Sequence, residues 1–83
     1  MPVIRPSDTA VHRMHGTSFH AYASPARGSS ELCAWRIEIP AHSRGVAHRV
    51  TREEVLYILS GTLRATIDDQ PGDASAGDVV LVP

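Results

Sequence analysis

The chain of 83 residues has one cysteine, Cys33, and no lysine. A lone thiol cannot close an internal disulfide, which excludes a disulfide scaffold and fits a reducing compartment. No apolar run approaches the roughly 20 residues that a membrane-spanning helix needs. The start, Met1-Pro2-Val3-Ile4-Arg5-Pro6, lacks the basic-then-apolar pattern of a signal peptide. The expectation is a soluble cytoplasmic protein with no membrane partner. Charge of one sign is also missing. Eight arginines face nine acidic residues, for a formal net charge of -1. A nucleic-acid binder shows a one-sided basic field, so no nucleic-acid partner is expected. Helical periodicity is absent, and so are internal repeats. The chain is short enough to form one small domain. A chain of this size buries only about 60–65% of its unfolded surface, so its core is thin.

What the sequence does contain is alternation of period two. Cys33, Trp35, Ile37 and Ile39 fall on one face of a stretch spanning 31–39, with Leu32, Ala34, Arg36 and Glu38 on the other. Such a pattern with Trp and Ile predicts a half-buried strand, ended by Pro40. Residues 53–60 predict a second strand. Glu54, Leu56 and Ile58 share one face and Val55, Tyr57 and Leu59 the other; both faces are largely apolar. Leu63, Ala65 and Ile67 point inward in a third strand, with Arg64, Thr66 and Asp68 outward. Asp69-Gln70-Pro71-Gly72 reads as a turn, and Val79-Val80-Leu81-Val82 as a short apolar strand. Residues 1–30 are punctuated by Pro2, Pro6, Pro25, Gly16 and Gly28. They are expected to form a mostly irregular N-terminal arm, with one short strand near Phe19–Ala23.

The segment His48-Arg-Val-Thr-Arg-Glu-Glu54-Val-Leu-Tyr-Ile-Leu-Ser-Gly61 resembles the first motif of the cupin family, G-x5-H-x-H-x3-E-x6-G. The spacing from His48 through Glu54 to Gly61 matches; Val50 stands at the second His and His42 at the first Gly. Gly77-Asp78-Val-Val-Leu-Val-Pro83 is similar to the opening G-x5-P of the second motif. The likeness covers about residues 31–83. It implies an all-β fold, a cupin-like jelly-roll β-barrel, over 31–83. That barrel is expected to be incomplete at the C-terminus, because the family's remaining strands and last metal-binding His would follow Pro83.

In the family a divalent metal is held by two His and one Glu of the first motif and one His of the second. Carried over by position, the resemblance offers His48 and Glu54 as metal ligands, for Fe, Mn, Ni or Zn. A hydrocarbon side chain at Val50 cannot ligate, and two ligands fall short of the usual three or four. The expectation is therefore no resident cofactor. Trp35, Glu54 and Tyr57 are the candidate ligand-binding residues, Trp35 and Tyr57 reading equally as pocket lining or as core or subunit interface. No catalytic residue is assigned. Glu53 and Glu54 point to opposite faces and cannot share a substrate proton. Cys33, alternating with Trp35 and Ile37, reads as a buried, inert thiol. His12, His15, His20 and His42 read as surface histidines.

Two functions follow from the resemblance. One is a small-molecule-binding cupin, non-catalytic or vestigial. The other is a metal-dependent cupin enzyme, a dioxygenase or isomerase, whose remaining ligands come from His42, a partner chain or a C-terminal segment. Val50 favours the first. The doubly apolar strand 53–60 and an uncovered edge at Val79–Val82 predict a homodimer, by strand exchange in one version.

Overall fold

A computed structural model of the chain describes residues 3–45 and 49–83. Its described residues form seven β-strands and two short 3-10 turns, Pro6–Asp8 and Pro25–Arg27, with no α-helix. The chain divides into two compact units, Met1–Val46 and Ala47–Pro83.

The first unit is an antiparallel sheet of β1 (Ala10–Met14), β2 (Thr17–Ala23) and β3 (Ala34–Glu38), with β2 in the middle. The stretch 1–30 thus carries two strands rather than one, and the sheet runs across the boundary expected at residue 30. The two-residue loop His15-Gly16 joins β1 to β2 with both φ angles positive, at 52° and 80°. That is a type I′ hairpin, whose twist matches that of paired strands. The expected strand over 31–39 is β3.

Register sorts the side chains of this sheet. His20 pairs with Arg36, and Ser18 with Glu38, so these four share a face. Phe19 pairs with Ile37, and Ala21 with Trp35, on the opposite face. Phe19 and Trp35 meet edge to face, centroids 5.6 Å apart, the geometry that ring quadrupoles favour. Ala21 below them is buried. The apolar face of β3 is nonetheless open. Trp35 keeps 52% of its surface exposed, and Cys33, ahead of the strand, is exposed rather than buried. Alternation places residues on faces but does not supply a covering layer.

The second unit holds two antiparallel ribbons. One pairs β4 (Glu54–Tyr57) with β7 (Val79–Val82), and the other pairs β5 (Thr62–Ile67) with β6 (Gln70–Ser75). Ile58 N donates to Asp78 O at 3.0 Å and Gly77 N to Ile58 O at 2.9 Å, carrying the β4–β7 ladder one step further. The burial pattern agrees with the expected register. Leu56, Ile58, Leu63, Ala65 and Ile67 are half-buried, while Val55, Tyr57, Leu59, Arg64 and Thr66 are exposed. Ala74, paired with Leu63, is buried.

One turn differs from expectation. It lies at Asp68-Asp69, both with positive φ (49° and 64°), and Pro71-Gly72 runs inside β6. Asp tolerates the left-handed region better than most residues, so a second type I′ loop forms three residues ahead of the more obvious Pro-Gly pair. Among the described residues the strands form three separate sheets and close no barrel.

Candidate functional site

In the second unit, the inward side chains of β5, β6 and β7 leave a groove of about 380 Å³. Ala65, Ile67, Ala74 and Val80 line its apolar part, with Gln70 and Asp78 among its polar lining. The hairpin makes this possible because its inward positions include small residues: Ala65 faces Gly72, and Leu63 faces Ala74. The volume falls within the range of small-molecule sites, roughly 300–1,000 Å³. On the opposite, outer face of the hairpin, Asp73 is held in place by Arg64, whose Nε donates to its Oδ1 at 2.9 Å and whose second terminal nitrogen donates to Oδ2 at 3.4 Å. The hydrogen bond and the charge of Arg64 together hold the Asp73 carboxyl below its ordinary range. Asp78 is used structurally. Its Oδ2 accepts from Ser75 N at 2.8 Å and Ser75 Oγ at 3.3 Å, fixing the turn into β7.

Glu54 opens β4 and pairs with Val82, one inward pair beyond Leu56 and Val80. Its carboxylate is exposed. Tyr57 lies on the same strand but on the opposite face, so the two do not converge on one ligand from β4. Trp35 belongs to the first unit, on the face away from His20. His48 lies outside the described residues.

The donor set does not fit the family's metal. Val50, half-buried, brings hydrocarbon where the motif needs an imidazole. Among the described residues no three His, Cys, Asp or Glu side chains come together as a cluster able to hold an ion. His42 sits in an exposed turn with φ of 61°.

A polar cluster that single-strand patterns do not reveal lies in the first unit. Arg36 donates to Glu38 Oε1, two residues along the same face of β3. His20 Nε2 approaches the same oxygen at 3.5 Å and is buried with no hydrogen-bond partner among the described residues. Its side chain is only 16% exposed, so His20 is not the surface histidine expected. Arg36, by hydrogen bond and charge, holds the Glu38 carboxyl below its ordinary range, with His20 adding a smaller pull. Glu38, and more weakly Tyr22, raise the Arg36 guanidinium. Arg36 and Glu38 at i and i+2 were visible as same-face neighbours; their link to His20 needs the β2–β3 register.

An all-β chain of short antiparallel strands, with a groove between strands of a ribbon pair, defines the class. Residues 35–83, more than half the chain, match the Cupin domain family, and the chain belongs to that family, whose fold is the jelly roll. No curated protein and no solved structure matches it.

Proposed function

We propose that this cupin binds a small molecule without a resident catalytic metal. The groove over Ala65, Ile67, Ala74 and Val80 carries the reading: it is open to solvent, of ligand size, and combines these apolar side chains with Gln70 and Asp78 among its polar lining. Val50 supports the non-catalytic half, because it removes an imidazole from the family's ligand set. The metal-dependent reading, in which a partner chain or another segment completes the set around His48 and Glu54, is the alternative. Fold alone does not choose between chemistries.

The test is a thermal-shift screen of small metabolites on the wild type and on Ala65→Phe, which fills the groove. Hits on the wild type that disappear in a folded Ala65→Phe protein are the expected result. Hits that survive the substitution place the ligand elsewhere and overturn this reading.

A further inference from the structure

We infer that the groove of the second unit takes a small organic cation: a protonated primary amine carried on an apolar body. The inference rests on the reading of this groove as the ligand site, and it names the class of ligand. The lining offers two kinds of surface. Ala65, Ile67, Ala74 and Val80 supply hydrocarbon, while Gln70 and Asp78 supply polarity. No Arg or His lines the groove among the described residues. Asp73 borders it too, but its carboxylate belongs to the outer face and is tied to Arg64.

The Asp78 carboxylate is half used. Its Oδ2 accepts from Ser75 N and Ser75 Oγ, which fixes the group in the turn ahead of β7. Its Oδ1 accepts no hydrogen bond from the described residues. An ammonium group is all donor, and an ionised carboxylate is all acceptor, so the two are matched. Because the carboxylate is already held, little ordering is lost when a ligand meets it. A ligand carboxylate or phosphate would instead approach like charge with no cation beside it.

Charge on a larger scale has the same sign. The unit Ala47–Pro83 carries six Asp and Glu residues against three Arg, whereas Met1–Val46 carries three against five. The near-neutral chain thus joins two units of opposite sign, and the groove belongs to the acidic one. Asp68 and Asp69 form the loop between Ile67 and Gln70, both of which line the groove. Such a field concentrates cations and repels anions.

The apolar lining narrows the class further. A calcium ion takes about six to eight oxygen ligands; it would find too few here and would leave the hydrocarbon surface untouched. A sugar needs a polar partner for most of its hydroxyls. An amine on a ring or a branched chain uses both surfaces, its body over Ala65, Ile67, Ala74 and Val80 and its head group on Asp78.

Three probes that share one ring test the inference: benzylamine, benzyl alcohol and benzoate. Each is titrated into the isotope-labelled full chain, and amide shifts are followed by NMR. Benzylamine is expected to move the Ala65, Ile67, Ala74 and Val80 amides with a dissociation constant in the roughly millimolar range of a small fragment. It should bind at least about fivefold tighter than benzyl alcohol, and benzoate weakest of all, as an added charged hydrogen bond implies. Benzyl alcohol or benzoate binding the same amides as tightly overturns the inference and leaves the groove a ligand site. No shift there from any of the three overturns the groove reading, and the inference with it. Asp78→Asn keeps a side-chain oxygen for Ser75 N but removes the charge. In the folded variant benzylamine should weaken about fivefold or more while benzyl alcohol is unchanged; undiminished benzylamine binding overturns the role of Asp78. A second readout needs no variant. Raising salt from about 20 to 500 mM should weaken benzylamine at least about threefold and spare benzyl alcohol. Benzylamine affinity that ignores salt overturns the inference.

Discussion

Arg64 and Asp73 stand directly opposite each other on the β5–β6 hairpin, and the Arg64 Nε reaches Asp73 Oδ1 at 2.9 Å. The pair lies on the outer face, both side chains more than half exposed. Solvent therefore screens it, and its contribution to stability is small. Its sign with pH is nevertheless fixed. A carboxylate whose folded value is depressed stabilises above its unfolded range and loses that contribution as pH falls through the folded value.

Asp73→Asn should therefore lower the urea midpoint slightly at neutral pH. The gap to the wild type should shrink below about pH 4, where unfolded carboxylates begin to protonate. Urea melts between pH 2 and 7 check this. A gap that stays constant or widens in acid contradicts the assigned pairing.

The register of the second unit gives a contrast between two truncations. Ile58 is half-buried on the inward face of the β4 segment, while Arg64 is exposed. Ile58→Ala should cost about 1–2 kcal/mol, below the range for a fully buried site because solvent already reaches it. Arg64→Ala should shift the melting midpoint much less. Thermal melts in which Arg64→Ala is the more damaging change would mean that the faces are exchanged.

Gly77 adopts a φ of +94° while its N–H bonds Ile58 O. Space for a Cβ is open there, so Gly77→Ala meets strain and no clash. The expected loss is about 1–2 kcal/mol, the usual cost of a left-handed L-residue. A chemical denaturation midpoint equal to the wild type's would show that the turn relaxes.

Metal content follows from the donor set. The purified chain is expected to carry far less than one equivalent of Fe, Mn, Ni or Zn, since Val50 supplies no donor. Elemental analysis decides it. About one metal per chain, lost on Glu54→Gln, would restore the metal-dependent reading.

Part of the second unit was legible because β5 alternates strictly. Leu63, Ala65 and Ile67 against Arg64 and Thr66 leave one register that buries the apolar set. The spacing from His48 to Gly61 and the run Gly77–Pro83 brought out the family. The first unit was less legible. Strand β1 mixes Ala10, His12 and Met14 on one face with Val11 and Arg13 on the other, and neither face is clearly apolar. Its turn is His15-Gly16, which lacks the familiar Asn-Gly or Asp-Gly signature. The link among His20, Arg36 and Glu38 was hidden for another reason. His20 and Arg36 are neighbours only through pairing of two strands, and one strand's pattern does not state its partner. The groove was missed likewise. Ala65 and Gly72 read as small residues singly; opposite each other they leave space.

Pro71 lies within β6, opposite Thr66. The two-residue loop makes Ile67 and Gln70 the hydrogen-bonded pair at the hairpin's tip, so the next pair, Thr66 and Pro71, faces its main-chain groups outward. On that outer edge Pro71 offers no N–H. A passing strand that tried to zip along β6 would meet a missing rung next to the turn. The β6 edge is thereby a poor template for an added strand at that rung.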